Sequence, residues 1–206
     1  MEQFSLYPAT LTLIAVNIAA SIYGWANPQF LDANTFHVGP IRQKHEYHRM
    51  LTSGFLHVGV FHLFINMFVL FQFGAMIEYT LGTPKFLIVY FAALIGGSLW
   101  AYMENFRSPE YRAIGASGAV SGVLLSYCLF APFTMLYVFM VIPMPAILFA
   151  ILYIVISAVL VGRENKVIGH EAHIGGAIFG LVATMIVEPS ALGTFAQQVS
   201  AVLGGS

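Results

Sequence analysis

Charged residues are scarce in this sequence of 206 residues: Asp, Glu, Lys and Arg together make up only 8%. Soluble domains carry roughly 25% charged residues, because charge is needed to cover a surface that faces water. The composition therefore excludes a soluble enzyme and a disordered chain. Eight Lys and Arg residues with a net charge of −1 also exclude a nucleic-acid-binding protein, which needs clustered basic residues. A single cysteine, Cys128, excludes an internal disulfide framework.

Apolar residues are abundant instead, at 59% of the chain. A membrane-spanning helix needs about 20 mostly apolar residues. We predict six such spans, at residues 9–26, 55–77, 86–103, 113–131, 144–161 and 171–188. The first is expected to be a span and not a secretory signal, because no basic residue precedes it. Residues 1–206 would form a single all-α membrane domain, a six-transmembrane helix bundle.

Two segments between the spans differ from ordinary short connections. The stretch 27–54 predicts a long loop between spans 1 and 2, and loops of this length are often functional. The run 133–142 is apolar but too short to span a membrane, and Pro143 follows it at once. We predict that this run is an interfacial connector, with an extension of span 5 as the alternative.

Nearly all basic residues fall in loops on one side of the membrane, which we call side A. Seven of the eight lie in the loops 27–54, 104–112 and 162–170: Arg42, Lys44, Arg49, Arg107, Arg112, Arg163 and Lys166. The opposite side, side B, keeps only Lys85. Counted by Lys and Arg alone, the positive-inside rule would make side A cytoplasmic.

Polar residues inside predicted spans are costly and point to function. Spans 2, 4 and 6 all begin on side A, and near these starts lie His62 and Asn66, Ser117 and His173. Ser117 would lie roughly 6 Å below its helix start and His62 roughly 10 Å, so one cavity could contain all four. A serine nucleophile needs a base, usually histidine, and histidine or asparagine side chains can stabilise an oxyanion. The set predicts a hydrolase with a Ser–His dyad.

Three sequence strings carry a resemblance to a known family. They are His62-Leu63-Phe64-Ile65-Asn66, Gly115-Ala116-Ser117-Gly118 and Ala172-His173-Ile174-Gly175-Gly176, on spans 2, 4 and 6. In this order and on these spans, the chain resembles the rhomboid family of intramembrane serine proteases, of the bacterial six-span type. The resemblance covers about residues 45–188 and implies a rhomboid-like fold.

The resemblance implies a role for each site residue. Ser117 would be the nucleophile and His173 the general base, while His62, Asn66 and the Ser117 backbone N–H would stabilise the oxyanion. No metal or cofactor is expected. Arg49 and Glu78 would hold the long first loop, and the glycines would allow close helix packing. The residues expected to give structural support are Arg49, Glu78, Gly115, Gly118, Gly176 and Gly180.

Two positions depart from the family pattern. His48 stands where the family has a Trp before Arg49, which puts the packing of the first loop in question. Ser121 stands where some bacterial members have a Tyr that stacks on the catalytic histidine. Ser121 shares a helix face with Ser117, so it could either hydrogen-bond His173 or leave its ring less constrained.

The resemblance further implies partners and a location. The substrates would be single-span membrane proteins, cleaved within or near their transmembrane segment, and membrane lipids would surround the bundle. The location would be a bacterial cytoplasmic membrane with side A outside the cell, which conflicts with the Lys and Arg count. The sequence predicts neither the substrate nor the oligomeric state.

Two other functions stay open. His170-Glu171-Ala172-His173 is similar to the zinc-binding H-E-x-x-H motif, although its histidines are three residues apart and not four. With His57 or His62 as a further ligand, this string would fit an intramembrane metalloprotease. The second alternative is a catalytically silent rhomboid-like protein that binds membrane clients.

Overall fold

A computed structural model describes residues 7–138, 141–160 and 170–204. Helices dominate it, with two short strand pairs between them. In chain order the elements are α1 (Pro8–Ala26), α2 (Pro28–Asn34), β1 (Phe36–His37), α3 (Val38–Lys44), α4 (Arg49–Thr52), α5 (Val60–Val69), α6 (Ala75–Leu81), α7 (Thr83–Glu104), β2 (Arg112–Ala113), α8 (Ser117–Phe130), β3 (Met135–Val138), β4 (Ile142–Pro145), α9 (Ala146–Leu160), α10 (His170–Val187) and α11 (Ser190–Gly204).

Three helices in the part of the chain described are long and apolar enough to cross a membrane. They are α1, the continuous helix Val60–Leu81 and α7. The second combines α5 and α6 through a π-helical turn at Leu70–Gly74. The shorter α8, of 14 residues, is also apolar, and α10 is followed by α11 after a bend of 105°. Large side chains such as Phe61 and Val60 are more than 70% exposed on α5, as expected of a surface that contacts lipid.

α10 packs most extensively against α7 and α8. Close approach is possible because glycines face each other. A Cβ built on Gly176 would lie 2.1 Å from the backbone oxygen of Gly118, and one on Gly180 would lie 2.4 Å from the Cα of Gly122. Such small-residue contacts are typical of membrane helices, because burial from water does not drive their association. Farther along, Ser126 on α8 hydrogen-bonds Thr184 on α10 at 2.6 Å.

The segment 27–54, predicted as a long loop between spans 1 and 2, contains short helices and a strand. It contains α2, β1, α3 and α4, and β1 pairs antiparallel with β2, so that Phe36 lies opposite Ala113. Beneath it lies a small apolar cluster that includes Phe36, Val38 and Ile41. Arg112 forms a 2.7 Å ion pair with Asp32, and this guanidinium lowers the pKa of the Asp32 carboxyl. The segment therefore packs against the connection that leads to α8.

Arg49 is the buried centre of this segment. Its guanidinium donates to the backbone oxygens of Asp32 at 2.5 Å and Thr35 at 2.9 Å, and its Nε forms a 2.6 Å ion pair with Glu46. His48, which replaces the family's Trp, is exposed and its ring nitrogen donates to the Ala33 backbone oxygen at 3.2 Å. Arg49 thus connects α4 to the backbone at the end of α2.

The position of Glu78 corrects an expectation. Its carboxylate accepts the backbone N–H groups of Ala9 at 2.9 Å and Thr10 at 2.7 Å, and the Thr83 hydroxyl at 2.7 Å. Glu78 therefore caps the start of α1 on side B and does not hold the segment 27–54. A carboxylate is favoured there by the unpaired N–H groups and the positive end of the helix dipole.

Each predicted span overlaps a helix, but only three helices in the described residues are long and apolar enough to cross a membrane, so the count of six is not confirmed. Span 4 was expected to begin at residue 113, but Ala113 lies in β2 and α8 begins at Ser117. Span 2 was expected to begin at residue 55, but Ser53–Phe55 is a single 3-10 turn, residues 56–59 are irregular, and α5 begins only at Val60. Of the run 133–142, the structure describes residues 133–138 and 141–142; β3 lies in this run and pairs antiparallel with β4. Since α9 starts at Ala146, the run does not lengthen span 5.

Candidate active site

Ser117 is the first residue of α8, where the chain arrives from β2 through Gly115. Gly115 has φ +136°, a conformation that favours glycine, and its N–H donates to the Ser53 oxygen at 3.0 Å. A Cβ at this position would lie 2.7 Å from Cε1 of His62. A side chain here would therefore be strained and would also collide with His62.

The structure brings Ser117 and His173 together. His173 lies in the first turn of α10, and its Nε2 is 2.6 Å from the Ser117 Oγ. Both side chains sit at the side A ends of helices that the facing glycines hold in contact. Nε2 is thus placed to remove the hydroxyl proton, which is the step that turns a serine into a nucleophile.

Ser121 stands where some family members have a Tyr that stacks on the catalytic histidine, and here a Tyr from another helix, Tyr153, makes that stack. Ser121 makes no described contact with His173; its Oγ lies 2.9 Å from the Tyr153 hydroxyl and 2.6 Å from the Ser117 backbone oxygen. The Tyr153 ring on α9 stacks on the His173 ring, with centroids 5.5 Å apart and planes at 23°. Tyr153 was missed at the sequence level, because one Tyr in an apolar helix gives no signal.

His62 lies beside the nucleophile, in the first turn of α5. The point where a Gly115 Cβ would lie is 3.1 Å from His62 Nε2 and 3.7 Å from Ser117 Oγ, so both side chains flank the same small space. His62 Nδ1 is buried and has no hydrogen-bond partner within the ranges that the structure describes. Nε2 is the ring nitrogen of His62 next to this space, so it can donate a hydrogen bond to a group that enters it.

Asn66 lies one turn farther along α5 and is almost fully buried. Its amide nitrogen donates to the backbone oxygen of His62 at 2.9 Å. One of its two N–H groups is therefore used within the helix, and no described hydrogen bond links Asn66 to Ser117. The Asn66 amide therefore has one N–H fewer to offer an oxyanion.

His57 is a buried histidine that supports the start of α8. Its Nε2 accepts the Ala116 N–H at 3.4 Å, its Nδ1 contacts the Ser21 hydroxyl at 3.0 Å, and its backbone oxygen accepts the Trp25 indole N–H at 2.7 Å. It therefore connects α1 to the residue before the nucleophile. Ser117 is the first residue of α8, and the first N–H groups of a helix generally have no acceptor inside the helix, so they can donate to an oxyanion.

Glu171 and Tyr111 connect the base helix to the segment before the nucleophile. The Tyr111 hydroxyl donates to the Glu171 carboxylate at 2.9 Å. Burial, with Glu171 beside it, raises the pKa of Tyr111, so this hydroxyl keeps its proton.

No group of three His, Cys, Asp or Glu side chains suited to a metal is found in the described part of the chain, although the predicted ligand His170 has no described side chain.

The nucleophile helix α8 is short. α8 has 14 residues and is roughly 21 Å long, whereas the hydrocarbon core is roughly 30 Å thick. α8 is therefore shorter than the hydrocarbon core is thick. Fold and site together define an α-helical membrane protein with a hydrogen-bonded Ser–His pair in its interior.

Comparison with known proteins agrees with that class. The rhomboid domain model matches residues 44–190, and the chain therefore belongs to the rhomboid family. It is 34% identical over 152 residues to RHOMBOID-like protein 12, mitochondrial, of Arabidopsis thaliana, covering 66% of this chain and 45% of that protein. It is 33% identical over 138 residues to human presenilin-associated rhomboid-like protein, mitochondrial, covering 64% and 36%. It is 35% identical over 159 residues to rhomboid protease GluP of Bacillus subtilis, covering 77% and 30%.

These three relatives are longer proteins, and their locations differ. The chain spans less than half the length of each of them. Two of the three are mitochondrial, so the comparisons do not support the expected bacterial type or a bacterial cytoplasmic membrane. An integral membrane protein of the rhomboid family is the conclusion that fold and comparisons share.

Proposed function

We propose that the chain is an intramembrane serine endopeptidase that cleaves single-span membrane proteins within or near their transmembrane segment. The observation that carries the proposal is the 2.6 Å contact between Ser117 Oγ and His173 Nε2 inside a helical membrane bundle. The B. subtilis relative is a rhomboid protease by name, which supports the proposal. We further propose that α1, α5 with α6, α7, α8, α9 and α10 are the six spans.

The proposed reaction follows from the geometry. His173 Nε2 takes the proton of Ser117 as its Oγ bonds to the scissile carbonyl carbon, and negative charge moves to the carbonyl oxygen. His62 and the N–H groups at the start of α8 face that oxygen, with Asn66 behind them. The C–N bond then breaks as His173 gives its proton to the leaving amine. Water, deprotonated by His173, attacks the acyl ester, and Ser117 regains its proton as the acid leaves.

The substrate class is proposed from the surroundings of Ser117. A cavity of about 20 Å³ adjoins the serine, bordered by Gly115, Gly118 and Ala172. A space of this size admits about one water molecule or a methyl-sized side chain. Small or helix-breaking residues at the cleavage site fit this cavity and expose the scissile carbonyl, which a stable helix would hide.

The experiment that tests this function is labelling by a fluorophosphonate, which reacts with activated serines. Purified protein in detergent would be compared with Ser117→Ala, His173→Ala and, as the matched control on the same helix, Ser126→Ala. We expect labelling of the wild type and the control only. Cleavage of a single-span test substrate should be lost in the same two variants and should resist a chelator.

Other results of this experiment would support one of the two alternative functions. A folded wild type that binds a single-span client without cleavage or labelling would be a silent client-binding protein. Cleavage that a chelator stops, and that Ser117→Ala retains, would instead indicate an intramembrane metalloprotease with His170, His173 and His57 or His62 as ligands.

A further inference from the structure

Tyr153 contacts the proposed base from a helix that carries no other residue of the proposed dyad or oxyanion site. Its ring lies nearly parallel to that of His173, with centroids 5.5 Å apart. A stacked aromatic ring restricts rotation of the imidazole about its side-chain bonds, because any tilt costs contact with the neighbouring face. The Nε2 that must meet Ser117 is therefore oriented from α9.

The hydroxyl of Tyr153 is itself fixed in direction. The Ser121 hydroxyl has one proton, which it donates to the backbone oxygen of Ser117 at 2.6 Å. In its 2.9 Å contact with Tyr153 it must then be the acceptor, and the Tyr153 hydroxyl donates. One chain of hydrogen bonds runs from Tyr153 through Ser121 to the backbone of the nucleophile. The same side chain thus touches the base with its ring and the nucleophile's helix with its hydroxyl.

We propose that Tyr153, held by Ser121, is a positioning residue for His173, and that the base is aligned only while α9 lies against α8 and α10. This inference rests on the proposed function. It assigns a role to a helix that brings no reacting group. A substrate that moved α9 would have to restore the stack before the chemical step.

The test compares variants that separate the ring from the hydroxyl. Tyr153→Phe keeps the ring and loses the donor, while Tyr153→Leu removes the ring. Leu152→Ala is the matched control, since Leu152 is the neighbouring residue on α9 and is exposed. Two readouts are needed: the rate at which a small fluorophosphonate labels Ser117, and kcat and KM for a single-span substrate.

We expect Tyr153→Leu to lower both the labelling rate and kcat by about 3- to 10-fold, the range that an aromatic pair commonly contributes, with KM unchanged. Tyr153→Phe should recover most of both rates, and Leu152→Ala should match the wild type. A role in helix packing or substrate entry alone would change KM and leave labelling by the small probe intact. If Tyr153→Leu does not fold, as judged by thermal unfolding, Tyr153→Met also removes the ring.

The proposal is overturned if ring removal leaves labelling at the wild-type rate, or if Tyr153→Phe loses as much as Tyr153→Leu. Both outcomes are distinct from failure of the proposed function, in which the wild type itself would show no labelling that depends on Ser117.

Discussion

At the scale of single residues, His62 and Asn66 differ in what their side chains already bind. Asn66 donates one N–H to the His62 backbone oxygen, whereas Nδ1 of His62 has no partner within the ranges that the structure describes. His62 also flanks the space beside Ser117. We therefore expect His62 to be the main side-chain donor to the oxyanion and Asn66 to act mostly by holding the first turn of α5.

This difference predicts an order of effects on kcat for a single-span substrate. His62→Ala should lower kcat by about 10²- to 10³-fold, the usual effect of losing an oxyanion donor. Asn66→Ala should lower it by only about 5- to 10-fold, since a single hydrogen bond contributes about 1 kcal/mol. Ile65→Ala, on the same helix, is the control. Equal losses in the two variants would place both side chains on the oxyanion.

The sequence predicted some of these residues and not others, for a physical reason. Ser117 and His173 were identified because polar residues are rare in spans and stand out. Tyr153 did not stand out, because the chain has 10 Tyr and 18 Phe residues and an aromatic side chain in a span is ordinary. Its partner Ser121 lies 32 positions away, and only the packing of α9 on α8 brings the pair together.

At the scale of helices and strands, hydropathy located the apolar segments better than their ends. Residues 55–59 are apolar enough to continue a span, yet they form the irregular approach to α5. Apolar runs also do not distinguish a short strand from a helix, so the hairpin of β3 and β4 was not predicted. The fold of residues 27–54 depends on Arg49, whose partners are backbone oxygens that a sequence does not reveal.

The close contact between α8 and α10 predicts that a larger side chain at Gly180 destabilises the protein. Gly180→Ala would place a methyl group 2.4 Å from the Cα of Gly122, and backbone cannot give way as a flexible side chain can. We expect the free energy of unfolding to fall by about 1–3 kcal/mol. Gly193→Ala on α11 is the matched control, because nothing lies within 4 Å of its new Cβ. The control should be neutral or stabilising, by up to about 1 kcal/mol.

Unfolding by denaturant in detergent, followed by circular dichroism, measures both variants. Labelling of Ser117 should also fall in Gly180→Ala, since α10 carries His173. Equal stability of the two variants would mean that α8 and α10 are farther apart than the structure places them.

At the scale of the whole molecule, different polar contacts connect the helices at the two ends of the bundle. On side B, Glu78 caps α1, and Lys85 forms a 2.8 Å ion pair with Glu188 at the bend between α10 and α11. On side A, Arg49 and Arg112 are engaged by Glu46 and Asp32. Part of the positive charge that favoured a cytoplasmic side A is thus paired within the fold. Which side faces the cytoplasm stays a prediction.

The 14 residues of α8 have a consequence for the lipid environment. A bilayer whose thickness differs from a protein's apolar height deforms or shifts relative to it, at a modest energetic cost. If α8 is one of the spans, as proposed, its short length makes the amount of lipid above Ser117 depend on the acyl chains. A thicker bilayer would place the serine farther from water and from the exposed end of a substrate helix.

We therefore expect the rate of Ser117 labelling by a water-soluble fluorophosphonate to fall as the protein is moved from vesicles with short acyl chains to vesicles with long ones. The rate in detergent micelles, which adapt their thickness, provides the reference. A rate independent of chain length would mean that the bundle fixes its own local bilayer. If the dependence is found, a cell could regulate this site through membrane thickness, without any ligand or any change to the protein.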